Sequence, residues 1–214
     1  MKGRIDHRDS LGNKGTIHGG ESQWMTGGSG ILHEEMPLPT EHMLGLQLWI
    51  NLPSADKMTD TKYFDITADT IREAVENGSH TRVIAGKYKE LRGAQGHHLP
   101  ATILDITVEP GKTFSMESNP EWTLFVYIVE GSGSFGSDTT LIPNKRALLF
   151  APGDEFSMEA GNEGMRFILA TAPPLGEPVA WGGPIVMNTR EELRHAFEEL
   201  ENGTFIKHKP AGKP

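Results

Sequence analysis

Apolar residues along this chain fall into short alternating runs rather than long periodic ones. Leu44, Leu46, Leu48, Ile50 and Leu52 alternate with Gly45, Gln47, Trp49 and Asn51. That period of two predicts a strand with its leucines on a core. Thr102, Leu104, Ile106 and Val108 alternate in the same way with Ile103, Asp105, Thr107 and Glu109, and Pro110-Gly111 closes that run. Residues 124–129 are apolar throughout, as expected of an inner strand covered on both faces. Residues 23–26, 82–85, 147–150 and 165–171 are read as further strands, with turns at 27–30, 131–136 and 152–154. Residues 86–100 carry Gly86, Gly93, Gly96, His97, His98 and Pro100 without apolar periodicity, which predicts a linker. Two stretches suggest helix. Residues 67–76 hold two weak apolar pairs. Residues 189–200 place Thr189 and Glu192 as a capping box ahead of an apolar stripe of Leu193, Ala196, Phe197 and Leu200, with Gly203 as the stop.

Composition supports the same class. Twenty-five glycines and fourteen prolines in 214 residues punctuate many short runs, which predicts an all-β sandwich or barrel. The formal charge of −9 and the lack of a basic run argue against direct nucleic-acid binding. With no cysteine there is no disulfide, thiolate nucleophile or cysteine-bound zinc. The sequence contains no stretch of membrane-span length and no signal-peptide pattern, so the expectation is a cytoplasmic protein without membrane attachment. The nine methionines are scattered and read as core filler.

The chemistry concentrates in residues 23–37, QWMTGGSGILHEEMP. His33 and Glu35 are two apart, and on a strand they share a face. An imidazole beside a carboxylate is half of a first-row transition-metal site. Spacing alone favours the plain reading, because most H-x-E triplets bind nothing. No nucleophile elbow, Walker loop or dinucleotide fingerprint competes.

The surrounding motifs carry a resemblance. HRDSLGN (7–13), QWMT (23–26), GILHEEMP (30–37), GLQLWINLP (45–53) and EPVAWGGPIVMNTREE (177–192) occur in the order found in pirins, a bicupin family. The likeness extends from about Gly3 to Phe205. It implies an all-β fold of two cupin domains, each a double-stranded β-helix of the jelly-roll type, plus a short C-terminal helix. The implied domains are 1–95, the metal-site half; 96–205, a second cupin-like domain with a wrap-back tail and helix; and 206–214, a tail. Trp181 in the wrap-back segment is expected to plug the join between domains.

Family-type ligands are two histidines of an H-x-H segment and the histidine and glutamate of a later H-x-E segment. Only His33 and Glu35 match here. The H-x-H segment lies in pirins just before the glycine that corresponds to Gly3, so the resemblance implies a first domain truncated at its N-terminus. The implied cofactor is a divalent transition metal, Fe(II) first and other first-row metals as alternatives. The implied activity is quercetin 2,3-dioxygenation, with a flavonol and dioxygen as partners, His33 and Glu35 as metal ligands, and Glu35 as the catalytic base. Trp24, Met25 and Trp49 are candidate pocket walls. Two alternatives stand beside it: a non-catalytic, metal-dependent module that binds a partner protein, and a gene-model fragment without a working site. His7, His18 and His42 are the replacement ligands to consider. The second domain, with Glu117 and Glu159 lacking histidine neighbours, is expected to be structural.

Overall fold

A computed structural model describes residues 2–207. The regular structure is mostly strand, with a single α-helix of 12 residues among the described residues, near their C-terminal end. Contacts divide it into two units, one holding residues up to Ala68 together with those from Leu175 onward, the other Asp69–Pro174. The expected domain boundary lies between residues 95 and 96; residues 208–214 of the expected tail lie outside the described residues. No described helix is long and apolar enough to cross a membrane.

The first unit opens with β1 (Arg4–Asp9), β2 (Lys14–His18), β3 (Ser22–Thr26), β4 (His33–Pro37) and β5 (Lys62–Ile66). β1 is the centre of an antiparallel three-stranded sheet, with β2 and β4 at its sides, while β3 pairs with β5. Burial along β1 has the period of a strand: Ile5, His7 and Asp9 turn inward and Arg4, Asp6 and Arg8 outward. The DSLGN run is the β1–β2 loop. Asp9 closes it by accepting hydrogen bonds from the backbone N–H of Leu11 (2.9 Å) and Asn13 (3.0 Å) and from the Asn13 amide (2.8 Å), a side-chain substitute for a backbone turn.

The alternating leucines at 44–52 do not form a strand. Leu44 makes one bridge to Lys2, and the rest is irregular, with Leu46 and Leu48 exposed. Alternation specifies a face, but a strand also needs a neighbour for its backbone N–H and C=O groups. Among the described residues only Lys2 supplies one.

The second unit contains β6 (Arg72–Glu76), β7 (Ser79–Ala85), β8 (Lys87–Tyr88), β9 (Leu91–Arg92), β10 (Thr102–Val108), β11 (Thr113–Glu117), β12 (Thr123–Phe135), β13 (Ile142–Pro143), β14 (Arg146–Leu149) and β15 (Glu155–Ala172). Eight of them form one sheet, in the order β13-β12-β15-β10-β7-β6, with β11 also on β15 and β14 also on β12. The expected helix at 67–76 is instead a turn followed by strand β6. Asn77 and Gly78 both have positive φ, 47° and 80°, the geometry of a two-residue hairpin turn whose twist matches its strands. The Asn-Gly pair therefore outweighs the weak apolar pairs before it.

Residues 86–100 are likewise no free linker. β8 and β9 pair within them, and Tyr88 is buried in the unit's core beside Phe114, with ring centroids 6.0 Å apart. The expected turn at 131–136 is a continuation of β12, which runs through register shifts at Ile128/Glu130 and Gly131/Gly133 before turning at Gly136. Such bulges bend a strand, and the sheet's inward residues form one aromatic and aliphatic core. Phe114, Phe135, Phe156 and Phe167 meet there with Leu104, Ile106, Val126, Ile128 and Leu169.

The chain then returns to the first unit as β16 (Ala180–Gly182), β17 (Ile185–Met187) and α1 (Arg190–Glu201). Glu177 holds this segment to the 53–57 turn by accepting from Ser54 backbone N–H (2.7 Å) and Oγ (2.9 Å). α1 has the expected capping box, with Thr189 Oγ1 accepting from Glu192 N–H and Glu192 accepting from Thr189 N–H. Gly203 follows at φ 70°. Trp181 is 70% exposed, donates its indole N–H to Gly183 O at 2.8 Å and meets Trp49 of the same unit edge-on, with centroids 6.4 Å apart.

Candidate metal centre on the first unit

The β1–β4 register places His33 opposite Asp9 and Glu35 opposite His7. Directly opposed residues project to the same side, so these four side chains rise from one face. Of the four, His7 is buried, Asp9 and Glu35 are half-buried and His33 is exposed. The face is joined to the β3–β5 pair by two side-chain contacts. Gln23 Nε2 donates to Glu35 Oε1 at 2.6 Å, and His7 Nε2 lies 2.9 Å from the Tyr63 hydroxyl.

The direction of the second contact follows from its neighbours. The Tyr63 hydroxyl donates to Asp65 Oδ1. Burial, then the hydrogen bond to Asp65 and the charges of Asp65, Asp9 and Glu35, push the phenol well above its ordinary value of 10.0. Tyr63 therefore keeps its proton and commits it to Asp65, and its oxygen accepts from His7 Nε2–H. That fixes the imidazole tautomer. Gly15 makes room for the ring, because a Cβ there would sit 2.7 Å from His7 Nε2.

Imidazole and carboxylate on one face suit a first-row divalent ion, and His33 with Glu35 meets that chemistry as a two-donor site. Asp9 turns its oxygens to its own loop, and His7 gives one nitrogen to Tyr63. Among the described residues no three His, Cys, Asp or Glu side chains are assembled to hold a metal. Of the proposed replacement ligands, His18 ends β2, opposite Arg4, and His42 is exposed. Only His7 lies on the face of His33 and Glu35.

Sequence reasoning missed Gln23, Tyr63 and Asp65. Gln23 lay inside the QWMT motif, but its partner is twelve residues away on another strand. Residues 62–66, KYFDI, hold Tyr63, Phe64 and Ile66, residue types enriched in strands, and carried a usable strand signal. In the second unit, Glu117 and Glu159 are both exposed.

A family model described as the pirin C-terminal cupin domain matches residues 103–206, and one described as pirin matches residues 1–50. The chain is 41% identical to Pirin-1 of Arabidopsis thaliana over 206 residues, covering 94% of this chain and 71% of that protein. A crystal structure of quercetin 2,3-dioxygenase from Acinetobacter baumannii superposes with a TM-score of 0.84 at 36% identity, covering 95% of this chain and 73% of that one. The bacterial pirin YhhW of Escherichia coli, solved in complex with nickel(II), shares the fold at a TM-score of 0.59 and 18% identity, covering 81% of this chain and 70% of that one. With family models matched at both ends and two-fifths identity to a relative it spans for most of its length, this all-β chain belongs to the pirin family of cupin proteins.

Proposed function

We propose that this chain is a metal-binding pirin whose family-type chemistry is 2,3-dioxygenation of a flavonol, with His33 and Glu35 as metal ligands and Glu35 as the group that takes the flavonol 3-hydroxyl proton. The observation that carries the proposal is the shared face of β4, where His33 and Glu35 stand in register with Asp9 and His7. When bound, a divalent ion such as Fe(II) supplies Lewis-acid polarisation of a flavonol oxygen. The chain's own contribution is to hold Glu35 in place through Gln23 and to fix His7 beside it through Tyr63 and Asp65.

A two-donor face favours a second reading, a metal-dependent binding module without turnover. Two protein ligands, with water in the remaining positions, leave coordination geometry loosely defined and affinity low. The test is metal analysis of the purified chain with a parallel quercetin-cleavage assay, each repeated on His33→Ala and Glu35→Gln. Weak binding that both variants lose, with slow turnover lost alongside it, supports the dioxygenase. Binding lost in both variants without any turnover supports the module. Metal retained by both variants overturns the ligand assignment.

A further inference from the structure

The Gln23 side chain is placed in an unusual way for an amide. Its nitrogen donates to Glu35 Oε1 at 2.6 Å, a short, charge-assisted bond. Its carbonyl oxygen is buried and, among the described residues, has no hydrogen-bond partner. A buried amide normally turns so that both ends are satisfied, because an unpaired acceptor forfeits its solvation. Here the carbonyl is left unpaired while the N–H stays on the carboxylate, so the bond to Glu35 sets the orientation. The backbone reinforces it. Gln23 sits on β3 opposite Asp65 of β5, on the face that also carries Met25 and Tyr63, and Tyr63 reaches His7 on β1. Gln23 and Tyr63 are thus two struts from one strand pair to the two residues, Glu35 and His7, that oppose each other on the next sheet.

We propose that Gln23 is the positioning residue of the metal centre: it holds one oxygen of Glu35 so that the other is presented beside His33. This rests on the reading of His33 and Glu35 as ligands. A carboxylate on an exposed strand edge otherwise samples several rotamers, and a two-donor site is most sensitive to such freedom because no further ligand restrains it.

Cobalt(II) titration of the chain tests this, with affinity read from the d–d absorption and its spectrum recorded again at saturation. Gln23→Leu removes the donor at similar size. Gln23→Asn keeps an amide but retracts it by one methylene, and serves if leucine disturbs the fold. Thr16→Val, which removes the hydrogen bond to Asp6 on the opposite face of the sheet, is the control. Either Gln23 variant is expected to weaken cobalt about tenfold or more, the range seen when outer ligand supports are removed, and to alter the saturated spectrum, while Thr16→Val changes neither. A role confined to folding would lower the thermal midpoint without moving the saturated spectrum. Gln23 variants that bind and absorb like the wild type, in a protein where His33→Ala loses cobalt, overturn the inference alone. His33→Ala binding like the wild type overturns the ligand reading and this inference with it.

Discussion

At the scale of single residues, the second unit holds a buried ion-pair cluster on β10. Asp105 is 5% exposed on β10 and receives Arg166 at both oxygens, 2.9 and 2.7 Å, with Arg82 at 3.5 Å. Burial alone pushes its carboxyl up, and the hydrogen bonds and charge of Arg166, then the charge of Arg82, more than offset that, so the net direction is downward from 3.8. A carboxyl whose folded pKa is depressed contributes stability that is complete above its unfolded value and lost as pH falls through the folded value. Asp105→Asn should therefore flatten the acid limb of stability below about pH 4, measured by urea unfolding across pH 2 to 7. Arg166→Met leaves a buried carboxylate short of its main partner and should cost about 3 kcal/mol at neutral pH. The alternation of residues 102–108 marked the strand, but it placed Asp105 on the outward side. Its burial depends on arginines 23 and 61 residues away.

Among the elements, α1 was the most legible. Its cap, stripe and stop are local in sequence, and the cap and stop occur as read: Thr189 caps, and Gly203 takes the left-handed conformation that favours glycine, whereas of the stripe Ala196 is buried, Leu193 and Leu200 are half-buried and Phe197 is exposed. Thr189→Ala should lower stability by about 1 kcal/mol through loss of the N-cap, read as a shift in the urea midpoint at unchanged slope. Strand β10 was also read correctly, because its alternation is matched by neighbours β7 and β15 on both sides. The leucine run at 44–52 has an equally regular pattern and no such neighbours among the described residues. The two differ in pairing, not in pattern. The β6–β7 hairpin shows the opposite case, since its Asn77-Gly78 turn, and not the two apolar pairs before it, decides the local structure.

Across the whole molecule, the buried apolar cluster lies entirely between Val83 and Leu169, within the second unit. Local stability follows buried apolar contacts. Hydrogen exchange should therefore show the slowest amides in β10, β12 and β15, with β1, β2 and β4 exchanging faster. Tyr88 belongs to this cluster, so residues 86–92 should be protected with the second unit rather than behave as a linker, as mass-resolved exchange would show.

The sequence by itself determined the fold class, the C-terminal helix, the β3–turn–β4 order and the shared face of His33 and Glu35. Each of these depends on residues within one turn, one strand or one short motif, where period and turn chemistry act directly. Only the tertiary structure decided which strands found partners, that Gln23 holds Glu35, that Tyr63 and Asp65 fix the His7 tautomer, and that Asp105 lies buried between arginines. Those outcomes depend on contacts between strands, over separations of 12 to 61 residues, where pairing and register, rather than local pattern, choose which side chains meet.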